Sequence, residues 1–148
     1  MVERREWTRD GLRMTDDPAQ VDVAAVRGLL QQSYWGRNRT EDVIEQSVAH
    51  SLCLSVFDGE KQVGFLRMVT DYTTISWLCD VLVDEQHRGR GIGKWIVETA
   101  MALPELHSCR TILITRDAHG LYERFGFERC EAMWRLADDA SANEWQPE

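Results

Sequence analysis

The sequence predicts a mixed α/β domain, and three observations carry that expectation. Apolar runs at 52–57, 63–69 and 75–83 follow one another closely enough to form an antiparallel meander. Beyond residue 84 the apolar period alternates between helical and extended, giving helix, strand, helix, strand. The full order is strand, two helices, three strands, helix, strand, helix, strand, which implies a mixed central β-sheet flanked by helices.

Taken in order, residues 6–14 read as a short, partly polar strand. Asp16, Asp17 and Pro18 then supply turn and helix-start chemistry. Val23, Val26, Leu29 and Leu30 recur at helical spacing, so a first helix is expected over about 21–32. Residues 33–39 hold Tyr34, Trp35 and Gly36 and read as a loop, after which Thr40 caps a short helix carrying Val43, Ile44 and Val48. Asp58-Gly59 between the first two apolar runs is a strong hairpin signal. A helix is expected over 91–102, stopped before Pro104, then a strand at 109–115, a short helix at 118–125 and a last strand at 130–136. The whole chain, 1–148, reads as one domain with a polar, flexible tail from 138, although Trp145 could dock.

The bulk properties narrow the function classes. A chain of 148 residues can bury a core without metals or disulfides. No apolar run reaches the roughly 20 residues of a membrane span, and the charged N-terminus has no apolar stretch behind it. A cytoplasmic location is the default expectation. Cys53, Cys79, Cys109 and Cys130 are too scattered for a metal site, and three of them lie in apolar runs, as reduced core thiols do. The formal net charge of −8 argues against nucleic acid and mildly favours a cationic small molecule or basic peptide.

The segment that carries most chemistry is 81–94, VLVDEQHRGRGIGK. Gly89, Gly91 and Gly93 let the backbone approach a ligand closely, and the following helix aims its free N–H groups and positive dipole end at the same point. Such a seat suits a phosphate or pyrophosphate. Ile92, Trp95, Ile96, Thr99, Ala100 and Leu103 give that helix one apolar face. A P-loop would need glycine in place of Arg88 and Ser or Thr in place of Trp95, and a dinucleotide fingerprint would need a third glycine at Lys94 or Ile96. Both are excluded by the residues present.

The run Arg88-Gly89-Arg90-Gly91-Ile92-Gly93 resembles the Q/R-x-x-G-x-G/A motif of the GNAT acetyltransferases, and Val83 to Arg88 fits the V-x-x-x-x-R that precedes it. Downstream, Leu121-Tyr122-Glu123-Arg124-Phe125-Gly126-Phe127 is similar to the family's L-Y-x-x-x-G-F. The two motifs occur in order with a strand between them, and the resemblance covers essentially the whole chain. It implies a splayed sheet and acetyl-CoA as co-substrate, with no metal. Main-chain groups of Val81, Leu82 and Val83 would pair with the pantetheine arm. The N–H groups of Gly89, Arg90, Gly91, Ile92, Gly93 and Lys94 would grip the pyrophosphate, with Arg88 adding charge. It also makes Tyr122 the proton donor to the departing thiolate and a homodimer a candidate assembly.

Direct acetylation of an amine needs a neutral amine, a polarised thioester carbonyl and a proton for the leaving group. Taken alone, Tyr122 is equally an amphipathic core aromatic beside Phe125 and Phe127. Asp80 interrupts an apolar run, so it is either ion-paired or a base at a cavity edge. Strand alternation puts it on one face with Ser76 and Asp84, opposite Trp77, Cys79, Val81 and Val83. Asp71 caps a turn or binds a cationic substrate beside Asp80; His87 and His119 are further candidate bases, and Asp117 reads as a helix cap. Tyr34 and Trp35 could hold a cationic acceptor, whereas Arg37 and Arg39 could receive an acceptor carboxylate. The expected activity is acetyl transfer to a primary amine of a small molecule. A protein or peptide N-acetyltransferase and a non-catalytic acetyl-CoA sensor are the alternatives.

Overall fold

The computed structural model describes residues 3–138. They form one six-stranded sheet in the order β1-β2-β3-β4-β5-β6, antiparallel throughout except for the parallel β5–β6 pair. The strands are β1 Glu6–Arg9, β2 Leu12–Thr15, β3 Leu52–Asp58, β4 Lys61–Thr70, β5 Ile75–Val83 and β6 Arg110–Leu113. The helices are α1 Val23–Gln31, α2 Glu41–Ala49, α3 Ile92–Met101 and α4 His119–Glu123.

Two expectations are corrected here. The single strand at 6–14 is a hairpin: Asp10 and Gly11 turn the chain with φ of 52° and 79°, the positive pair that tight hairpins require. It is the same Asp-Gly signal as at 58–59, placed between shorter and more polar strands. The last strand at 130–136 does not form, and those residues are exposed, Met133 completely. Alternation alone does not make a strand, because a pleated segment is stable only against a partner. The six-stranded sheet of the described residues does not take it in. The tail from 139 onward, with Trp145, lies outside the described residues.

The sheet has a core on each face. On one, α3 packs Ile92, Trp95, Ile96 and Ala100 onto Leu54, Val56, Leu66 and Met68. On the other, α1 and α2 bring Val26, Leu29, Leu30, Ile44 and Val48 onto Cys53, Phe65 and Leu82. Side-chain caps set both of the latter helices: Asp22 accepts from the Ala25 N–H, and Thr40 from the Val43 N–H as expected. Cys53 is buried, Cys79 and Cys109 are half-buried and Cys130 is exposed, so the core-thiol expectation fails for the last. Among the described residues no helix is long and apolar enough to cross a membrane.

A bulge alters the expected strand faces. Arg67 is the register partner of Asp80, but its neighbour Met68 is the partner of Leu78, leaving Cys79 as an extra residue on β5. Parity therefore flips: Leu78 joins the α3 core, whereas Leu82 joins the α1/α2 core. Asp80 consequently does not share one uninterrupted face with Ser76.

Candidate active site

β6 pairs with β5 only from Ile75 to Leu78. Past that point β5 continues to Val83 while β6 ends at Leu113, and a cleft of about 1010 Å³ lies between β5 and the following Ile114 and Thr115. Its wall includes Cys79, Val81, Leu82 and Val83 of β5, the start of α3, and Leu121 and Tyr122 of α4. The sheet thus exposes a strand edge inside a cavity, where main-chain N–H and C=O groups can pair with an extended ligand.

The glycine turn closes one end of this cleft. Gly89 and Gly91 have φ of 82° and 77°, which side chains disfavour, and a Cβ at either would meet nothing within 4 Å. Conformation rather than crowding therefore calls for glycine, and the open space lies in the cleft wall, to which both residues belong. Gly91 is the N-cap of α3, and no side chain caps the helix there. The first N–H groups of α3 are thus left for an anion, with the dipole favouring negative charge. Arg88 and Lys94 line the same end, and the Arg88 Nε–H donates to the Val83 carbonyl at 3.4 Å. Arg90 departs from this pattern. Its side chain lines a separate small hollow with Arg9, Asp10 and Trp95.

Tyr122 stands in the opposite wall and stacks edge-on against Phe127 at 5.8 Å. Burial pushes its hydroxyl up to about 12, with Tyr34 and Asp117 adding to the rise. The phenol therefore stays protonated at neutral pH, as a proton donor must. Tyr34 and Trp35 meet at 5.0 Å and line the cleft beside it. The Tyr34 hydroxyl accepts from the Arg116 N–H, and the Arg116 guanidinium lies 3.9 Å from the Tyr34 ring centre.

Beneath the aromatic pair lies a buried ionic cluster. Asp80 Oδ1 accepts from Trp35 Nε1 at 2.9 Å, while Oδ2 accepts from Arg39 Nη1 at 3.0 Å and Arg67 Nε at 2.7 Å. Burial alone would raise the Asp80 carboxyl, but Arg39 and Arg67 outweigh it and hold the group below the usual carboxylate range. Asp80 is outside the cleft wall, whereas Trp35, Arg39 and Arg67 are part of it. Of the two roles open to Asp80 in the sequence, the geometry realises the ion-paired one.

Residues 49–129, more than half of the chain, match the family model described as Acetyltransferase (GNAT) domain. The chain belongs to the GNAT family. A Xanthomonas campestris pv. campestris structure of a protein assigned to this family is 35% identical, with a TM-score of 0.80 over 85% of this chain and 93% of that one. A Gibberella zeae protein assigned as an acetyltransferase is 26% identical over 142 residues, 80% of this chain and 79% of the relative. A GNAT acetyltransferase of Elizabethkingia anophelis, solved with acetyl-CoA bound, is 15% identical and shares the fold at a TM-score of 0.63 over 83% of this chain and 80% of that one.

A GNAT domain is an acetyltransferase, and the family uses acetyl-CoA. The residues present suit that molecule: a positive-φ glycine cradle with open space above it, an uncapped helix start, and a bare strand edge leading from there towards Tyr122. Other expected site residues fall elsewhere. Asp71 does not join Asp80 and is not in the cleft wall. Its Oδ1 accepts from the N–H groups of Thr73, Thr74 and Ile75, and its Oδ2 from the Thr74 hydroxyl, so it caps the β4–β5 turn. His87 is held by carboxylates on both ring nitrogens, Asp84 at 2.9 Å and Asp58 at 3.1 Å, and so ties the β3–β4 turn to the glycine turn. Asp117 does not cap α4, whose N-cap is Ala118 with no side-chain bond, and instead lines the cleft.

Arg67 was invisible in the sequence. It sits in an otherwise apolar strand, Gln62-Val63-Gly64-Phe65-Leu66-Arg67-Met68, where an arginine flanked by buried residues could have been set against the equally anomalous Asp80. Among the described residues no group of three His, Cys, Asp or Glu side chains could hold a metal ion.

Proposed function

We propose that this protein transfers the acetyl group of acetyl-CoA to a primary amine of a small molecule by direct attack. The observation that carries the reading is the shared cleft: the glycine cradle, the unpaired edge of β5 and the half-buried phenol of Tyr122 all line it. Acetyl-CoA supplies the thioester. The α3 N-terminus and the Gly89 to Lys94 backbone hold its pyrophosphate, and the β5 edge from Cys79 to Val83 aligns the pantetheine arm. Tyr122 gives its proton to the departing thiolate as the amine nitrogen bonds to the acetyl carbon. Asp80 positions Trp35, Arg39 and Arg67 in the acceptor end; the amine loses its ammonium proton to water in the open cleft before attack, and the second proton, lost from nitrogen as the amide forms, returns to the Tyr122 phenolate.

The test is thiol release from acetyl-CoA against amino acids, polyamines, aminoglycosides and peptides. Turnover with small amines is expected. Turnover with peptides alone would move the reading to a protein N-acetyltransferase, and acetyl-CoA binding with no turnover on any amine would make the chain a sensor.

For assembly, we propose a homodimer joined along the segment that follows α4. In support, Met133 is completely exposed there, and Trp134 and Leu136 beside it are exposed as well as lining the cleft. A second copy would cover this apolar surface.

A further inference from the structure

The glycine turn has to be stiffened from outside itself. At its far end α3 packs Ile92 and Trp95 into the core. At its near end the chain arrives through one turn of 3-10 helix, Glu85–His87. Between these anchors, Gly89 and Gly91 at positive φ give the backbone little rigidity of its own. An anion seat made of main-chain N–H groups binds well when those groups are already aimed before the ligand arrives. What fixes the near end therefore bears on affinity.

The near anchor is His87. Its Nδ1 lies 2.9 Å from Asp84 Oδ2 and its Nε2 lies 3.1 Å from Asp58 Oδ2. Only 13% of the side chain is exposed, although it lines the cleft. Both ring nitrogens are committed to protein, so the ring supports the turn rather than binding a ligand itself. Asp84 is fastened in its turn to two further elements. Its Oδ2 lies 3.6 Å from Lys61 Nζ at the start of β4, and its Oδ1 accepts from Nε2 of Gln32, the C-cap of α1, at 3.5 Å. Gln32 Oε1 accepts from the Glu85 N–H at 3.1 Å. The hydrogen bond from His87 does most to hold the Asp84 carboxyl below its usual range, with Gln32 and Lys61 adding to it. On the other side of the ring, Asp58 ends β3 at the hairpin, half-exposed and outside the cleft wall.

We propose that Asp58, His87 and Asp84 form a clasp that positions the glycine turn, so that a carboxylate on the β3–β4 hairpin, outside the cleft, sets the affinity for the pyrophosphate of acetyl-CoA. This deepens, and rests on, the acetyl-CoA reading above. Asp58 and His87 are positioning residues: Asp58 acts through His87, and His87 acts through the backbone that follows it. Neither takes part in the proton transfer from Tyr122.

The test is a calorimetric titration of acetyl-CoA into wild type, Asp58→Ala, His87→Gln and the double variant. Asp58→Ala should weaken binding about threefold or more, the scale of one lost hydrogen bond. Asp58→Asn, which keeps an acceptor oxygen and suits the hairpin turn, should recover part of that loss. His87→Gln should weaken binding further, and adding Asp58→Ala to it should change the affinity by less than about twofold, because the two positions share one path. Without ligand, amide hydrogen exchange in Asp58→Ala should quicken over residues 88–91 and not over α2. Wild-type affinity in Asp58→Ala, an equal loss from Asp58→Ala in both backgrounds, or unaltered exchange over 88–91 would each overturn the proposal. A wild type that does not bind acetyl-CoA would remove the cofactor reading and the clasp together, whereas a wild type that binds it while the variants match would remove the clasp alone.

Discussion

Arg67 and Asp80 are cross-strand register partners on β4 and β5, and the Arg67 Nε–H donates to Asp80 Oδ2 at 2.7 Å. The pair adjoins the Cys79 bulge, just past the point where β5 parts from β6. An ionic bond thus braces the sheet where it opens, and holds Arg67 of the cleft wall in place.

Asp80→Asn removes the buried carboxylate that Arg39 and Arg67 share and should cost about 3–5 kcal/mol of stability, the range for breaking a buried ion pair from one side. The carboxyl is held below its usual range, so its contribution is complete above about pH 4, the unfolded value, and is lost as pH falls through the lower folded value. Urea unfolding of wild type and Asp80→Asn at pH 7 and at pH 3 checks both the size and the sign. The gap between the two proteins should narrow in acid.

Tyr122→Phe should lower kcat by about 100-fold or more, the lower range for general acid catalysis, with the Kd of acetyl-CoA within about twofold of wild type. Because burial lifts the phenol to about 12, its acid form persists through the neutral and mildly alkaline range. The pH profile of kcat/KM should therefore show no falling limb from this residue below about pH 10, and a limb at lower pH that vanishes in Tyr122→Phe would contradict the assignment.

Gly91→Ala puts a side chain at a φ of 77°, a strain of roughly 1–2 kcal/mol. Relief of that strain rotates the peptide that begins α3 and spoils the anion seat. Isothermal titration should show acetyl-CoA affinity falling about tenfold, and the defect should appear in KM for acetyl-CoA more than in kcat.

Replacing Met133 and Trp134 with Lys places two charges on the exposed segment beyond β6. Light scattering should find a dimer in wild type and a monomer in the double variant. A wild-type monomer at high micromolar concentration would remove the assembly.

Most of the fold was legible because its signals are local. Asp58-Gly59, the Thr40 cap, the largely apolar run at 75–83 and the glycines before Ile92 each act over a few residues, and each is found where expected. The Asp10-Gly11 hairpin used the same chemistry and was missed because its strands are four residues long and largely polar. Asp71 was misplaced for the opposite reason. Its carboxylate suggested a ligand, but its partners are the N–H groups of its own turn.

The sequence by itself determined the glycine turn and the start of α3, the elements proposed to seat a pyrophosphate, because their signals lie in consecutive residues. It also determined that Tyr122 follows β6 on a short helix. Tertiary structure decided what Asp80 does. A carboxylate in an apolar run reads the same whether it is a base or an ion-pair partner, and the choice depends on residues 41 and 13 positions away, Arg39 and Arg67. The bulge at Cys79, which sets the faces of β5, is likewise a property of pairing between strands rather than of either strand alone.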